Sequence, residues 1–169
     1  MPNLFRHLIC RVNILDMDQN KSVKILFRLF STILDKITVE TMWAQTVDEE
    51  KGLYKLDNIP FHLPLIACGD IVLAEYDEDE GMLTYRKVIE YSGNSTVHVM
   101  LMDDTAGIDN VRKVFDDLGC ASEKYSERYF AMDVPAGVDY SIIRSKLEEL
   151  ETAEMIDYSE SSLSEQHQY

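Results

Sequence analysis

Cysteine, positive charge and long apolar runs are all in short supply in this chain, and each shortage removes a class of protein. The three cysteines, Cys10, Cys68 and Cys120, stand far apart, are odd in number and show no CxxC or Cys/His ligand spacing. A disulfide framework and a structural zinc site are therefore not expected, and a reducing cytoplasm is the expected compartment. No apolar run approaches the roughly 18 residues of a membrane-spanning helix. The first residues, MPNLFRHLICRVNIL, lack the continuous apolar stretch and small-residue cleavage site of a signal peptide. Catalytic signatures are missing as well: no GxSxG elbow, HExxH helix or phosphate-cradling GxxxxGKS/T loop occurs. The expectation is a protein that is not an enzyme and carries no cofactor or metal.

Lys and Arg number 16 against 31 Asp and Glu, a net charge of −15. Such an excess disfavours direct contact with nucleic acid or an anionic membrane. The imbalance is uneven. Residues 1–36 hold six Lys/Arg and three Asp/Glu, whereas residues 37–169 hold ten and 28. A strongly anionic body is commonly a device for solubility; it also steers association toward a basic partner.

What is present is β-rich punctuation. Residues 1–20 read as a leader appendage ending in the polar run Asp16-Met17-Asp18-Gln19-Asn20. Residues 24–30 alternate as a strand, with Ile25, Phe27 and Leu29 on one face. Residues 38–47 form a second strand, with Val39, Thr41, Trp43 and Gln45 opposite Glu40, Met42, Ala44 and Thr46; Trp43 is expected in the core. Charged turns ending in Gly52 and Gly81 separate further strands at 53–56, 71–76 and 82–92, the last bent near Arg86-Lys87. Pro60 removes an amide donor and ends the third strand. Five strands on short polar turns predict a small SH3-like barrel or curved antiparallel sheet over residues 21–95.

From residue 96 the rhythm becomes β, α, β, β, α, β. Asp103 or Asp104 opens a helix whose apolar face is Ile108, Val111, Val114, Phe115 and Leu118, and Gly119 stops it. Asp139 caps a second helix with Ile142, Ile143, Leu147 and Leu150 as its apolar face. That order predicts a ferredoxin-like unit over 96–158, followed by a frayed polar tail at 159–169. The fold class is α+β.

Candidate sites are few. Asp77-Glu78-Asp79-Glu80-Gly81 imitates a calcium loop, but Gly81 falls at position five and Val88 at position twelve, so a solvated hairpin tip is expected. Cys68 and His62 sit six residues apart in one loop; an activated thiolate is possible chemistry there, two packed residues the blander one. His98 alternates along a strand toward a sheet face that could hold a ligand. The turn Ser92-Gly93-Asn94-Ser95-Thr96 offers a nest for an anion.

Taken together, KILFRL (24–29), VETMWA (39–44), YKLDNIPF (54–61), GDIVLAEYDED (69–79), VIEYSGNSTVHVML (88–101), LGC (118–120) and VPAGVDYSIIRSKLEE (134–149) resemble the bacterial family called domain of unknown function 4265. Asn94 departs from the SGHST form of related sequences, so any histidine chemistry there is lost. The leader is also longer than usual. The resemblance implies fold and boundaries and no activity. The function expected is an acidic immunity-type protein that neutralises a basic toxin domain such as a nuclease. Asp77, Glu78, Asp79, Glu80, Asp103 and Asp104 are its expected contact residues. A regulatory or small-ligand module on the ferredoxin-like sheet is the alternative.

Overall fold

The computed structural model describes residues 22–31, 36–103 and 105–169. The expected leader, residues 1–20, and Asp104 lie outside the described residues. Two antiparallel sheets and two helices make an α+β fold.

The first half is a meander. β1 (Ser22–Ser31), β2 (Lys36–Asp48), β3 (Leu53–Leu56), β4 (Ile71–Asp77) and β5 (Met82–Glu90) pair in succession and close on themselves. With an odd number of up-and-down strands, the first and last run the same way. The closing contact is accordingly parallel, Ile25 opposite Leu83 and Leu26 opposite Thr84. Alternation sends Ile25, Phe27, Met42, Ala44, Val72 and Ala74 inward. Phe27 stacks on Tyr85 with ring centroids 4.6 Å apart. Leu73 pairs with Lys87 and Ala74 with Tyr85, so Arg86 is the extra residue of a bulge that bends β5 where a bend was expected.

Trp43 is a correction. It is 48% exposed, because it shares the outward face of β2 with Val39 and Thr41 while Met42 and Ala44 point in. Lys24 Nζ lies 4.8 Å from its ring centroid, a cation–π contact on the barrel surface.

The second half comprises β6 (Ser95–Leu101), α1 (Ile108–Asp116), β7 (Ala121–Lys124), β8 (Tyr129–Val134), α2 (Tyr140–Thr152) and β9 (Ile156–Ser162). The strand order is β7-β8-β6-β9. One face of this sheet, carrying Val97, Val99, Phe130, Met132 and Ile156, packs against Val111 and Phe115 of α1 and Ile143 and Leu147 of α2. Asp139 caps α2 as expected, its carboxylate accepting Ser141 N–H at 3.0 Å. Asp103 does not cap α1. Gly107, at φ 70, holds that position, and Asp103 instead accepts the N–H and hydroxyl of Thr105. Ile142 faces solvent rather than the core, one position off the stripe set by Ile143 and Leu147.

The terminal segment is built into the fold. β9 runs on to Ser162, Leu163 packs on the core, and a single 3-10 turn (Glu165–His167) follows. His167 is buried, stacks on Tyr140 at 5.2 Å and meets Ser95 Oγ through Nδ1 at 2.8 Å.

Candidate functional site

The two halves are joined by the loop of residues 57–70, between β3 and β4. Part of its backbone bonds to strands, Asp57 N–H to Trp43 O, Leu65 N–H to Ser161 O and Gly69 N–H to Leu56 O, and side chains from both halves satisfy further groups. Glu40 of β2 accepts the N–H groups of Phe61 and His62 at 2.9 and 3.0 Å. Glu123 of β7 accepts Ile59 N–H. His98 Nε2 donates to Pro60 O, Tyr129 Oη to Phe61 O at 2.6 Å, Ser161 Oγ to Leu63 O and Thr96 Oγ1 to Ile66 O. Leu63, Ile66 and Ala67 are buried beneath. The loop thus covers the sheet face opposite the helices.

This arrangement settles several candidates. The sheet face around His98, expected as a ligand surface, is occupied by the chain's own loop. Burial lowers the His98 pKa and favours the neutral ring that donates to Pro60. Cys68 and His62 do not form a couple. His62 is exposed and packs on Tyr125 and Tyr129, whereas the Cys68 thiol faces Leu56 O at 3.9 Å. Burial first, then the charges of Asp133, Asp57 and Glu123, push the Cys68 thiol up to about 11, the opposite of activation. Among the described residues no group of three His, Cys, Asp or Glu is placed to hold a metal ion.

The turn at 92–96 holds an anion, but it is the protein's own. Asp70, 1% exposed, accepts Ser92 N–H and Ser92 Oγ–H at 2.8 and 2.9 Å and Ala67 N–H at 3.0 Å. Asn94 takes the next step. Its amide donates to both oxygens of Asp133 at 3.2 Å, and its Oδ1 accepts Ala136 N–H. Asp133 is 7% exposed; burial pushes its carboxyl up to about 6, with Asp70 adding to the rise and Asn94 opposing it. Sequence reading missed both aspartates. The available signal was a lone carboxylate inside an apolar strand, as in Tyr129–Val134, YFAMDV.

The expected acidic contacts divide. Asp77 accepts the N–H groups of Asp79 and Glu80 and pairs with Arg86 at 3.2 Å, which holds its carboxyl below the usual range. Glu80 pairs with Arg28 at 2.6 Å. Glu78 and Asp79 are exposed at the tip of the hairpin, beside Tyr76, which is 65% exposed. Asp103 is spent on Thr105. The structure does not describe Asp104.

A family pattern matches residues 40–158, most of the chain. The chain belongs to the family described as Domain of unknown function (DUF4265). The match begins within β2 and ends within β9, so it takes in the whole joining loop and both buried aspartates. A solved structure, described as a novel crystal structure of a hypothetical protein from Neisseria gonorrhoeae, superposes with a TM-score of 0.73. It is 21% identical, over 86% of this chain and 97% of that one. At that identity the likeness is one of fold. No curated protein matches the chain. No helix among the described residues is long and apolar enough to cross a membrane.

Proposed function

We propose that this member of the family is an acidic immunity-type protein of the cytoplasm that binds and blocks a basic toxin domain, a nuclease being the type of target its charge fits. The carrying observation is the β4–β5 tip. Glu78 and Asp79 are exposed and enter no ion pair among the described residues, while Asp77 and Glu80 brace the same turn through Arg86 and Arg28. A braced turn presents its two free carboxylates with little ordering cost, and Tyr76 supplies an amphipathic anchor beside them. A nuclease groove built for phosphates accepts rows of carboxylates for the same electrostatic reason.

The five-stranded barrel is assigned, within this proposal, to the SH3-like class, and the β7-β8-β6-β9 sheet with its two helices to the ferredoxin-like class. Strand order and the one-sided placement of the helices support that assignment. The alternative, a small-ligand module, has one observation in its favour: a cavity of about 500 Å³ beside the 92–94 turn.

The test is co-purification with the product of the adjacent gene, followed by an inhibition assay on that product. The expected result is a salt-sensitive complex that loses at least about tenfold in affinity when Glu78→Lys and Asp79→Lys are combined. A complex indifferent to both salt and these charge reversals refutes the electrostatic reading.

A further inference from the structure

The cavity beside the 92–94 turn has the chemistry of a cation site. It lies between that turn and the terminal segment, with a volume of about 500 Å³. Ser92, Asn94, Ser164 and Gln166 line it, together with Asp70 and Glu165, and no Lys, Arg or His among the described residues does. The Ser164 hydroxyl oxygen is buried without a hydrogen-bond partner among the described residues. Gly93, at φ 83, lets the terminal segment close in; a Cβ there would come within 3.2 Å of the Gln166 amide.

Asp70 belongs to the lining, and Asp133 sits behind it, bonded to Asn94. Among the described residues Asp70 accepts hydrogen bonds only from uncharged N–H and O–H donors, and Asp133 only from the Asn94 amide. Neither has an ion-pair partner among the described residues. Buried carboxylates without a counter-charge are costly, and they make the nearby cavity attractive to a positive group. The rim is apolar and open. Leu65 and Tyr91 are each 70% exposed, and Leu65 is held at φ 60 by its N–H bond to Ser161 O. A leucine kept in the left-handed region is strained, and such strain is concentrated at functional sites. An alkyl stem would lie against these two side chains, as long cationic side chains do on apolar surfaces.

We propose that this cavity binds an alkylguanidinium or alkylammonium group, its charge facing the Asp70–Asp133 side and its stem on Leu65 and Tyr91. The group comes either from a small free cation or from an Arg or Lys side chain of another molecule. The proposal does not rest on the hairpin tip, which involves different residues.

The full chain, labelled with ¹⁵N, is titrated separately with butylguanidinium, N-acetyl-arginine amide and the neutral butylurea. Saturable shifts at the amides of Ser92, Gly93, Asn94, Ser164 and Gln166 with a guanidinium probe, and not with butylurea, are expected. Response to N-acetyl-arginine amide points to a side chain as the source; response to butylguanidinium alone points to a free cation. Asp133→Asn, which is isosteric, and Glu165→Gln, on an exposed turn, are each expected to weaken binding at least about threefold. The proposal is overturned by equal shifts with butylurea, by no saturation with any cation up to about 10 mM, or by undiminished binding in both variants.

Discussion

His167 Nδ1 lies 2.8 Å from Ser95 Oγ, a bond that fastens the last turn of the chain to the first residue of β6. Ser95 Oγ also accepts Ser164 N–H, and the imidazole stacks on Tyr140 of α2. Replacing His167 with Ala removes the ring and leaves Ser95 with one partner fewer. A loss of about 1–3 kcal/mol is expected, read as a lower urea midpoint with unchanged slope. An unchanged midpoint would show that the terminal turn contributes nothing to the fold.

Asp133 gives stability a pH dependence of defined sign. Its folded-state pKa is raised to about 6 from the ordinary 3.8, so between those values the native state binds a proton that the unfolded chain does not. The contribution is therefore fully present below the unfolded value and is lost as pH rises through the folded one. Asp133→Asn is expected to be more stable than the parent at neutral pH, by at most about 3 kcal/mol. The advantage should disappear at about pH 4. Urea denaturation at a series of pH values distinguishes this from a variant whose advantage is constant.

The Tyr129 hydroxyl donates to Phe61 O at 2.6 Å, one of the ties that hold the joining loop to the second sheet. Tyr129→Phe leaves that carbonyl without its donor, at an expected cost of about 1–2 kcal/mol. Hydrogen exchange should quicken at the amides of Phe61 and His62 but not in the barrel strands.

The Cys68 thiol, pushed up to about 11, is expected to be inert. At pH near 8 only about one molecule in a thousand carries the thiolate, so alkylation should run at least about tenfold slower than in the unfolded chain. Site-resolved mass spectrometry after iodoacetamide treatment measures this. Rapid modification of Cys68 in the native protein would revive a reactive role for it.

At the β4–β5 tip, Asp77→Asn weakens a turn rather than a contact. It removes the Arg86 pair and weakens acceptance of the Asp79 and Glu80 N–H groups. Faster exchange at those two amides is expected, with a smaller effect on partner affinity than the Glu78→Lys and Asp79→Lys pair.

The alternation Ile25-Phe27, the hairpin glycines Gly52 and Gly81, and the Asp139 cap are local statements, and the chain could be parsed from them. Strand period, turn chemistry and capping act over a few residues, so they are written in consecutive letters. Trp43 was misplaced because its two strand faces are both partly apolar, and only barrel closure decides which one is inside. The joining loop was opaque for a different reason. Glu40, Glu123, His98 and Tyr129 serve its backbone from 21 to 68 residues away. The acidic character of the surface was plain in the composition. Which carboxylates are free was not, since Asp77 and Glu80 acquire arginine partners only on folding.

The sequence by itself determined the order of elements, the hairpin turns and the sign of the charge, because each depends on neighbours along the chain. The tertiary structure alone decided that Asp70 and Asp133 share one buried neighbourhood, that the loop seals the sheet, and that the terminal residues close a cavity. These are relations between distant segments, and only packing brings such groups close enough to share a dielectric environment and a set of hydrogen bonds.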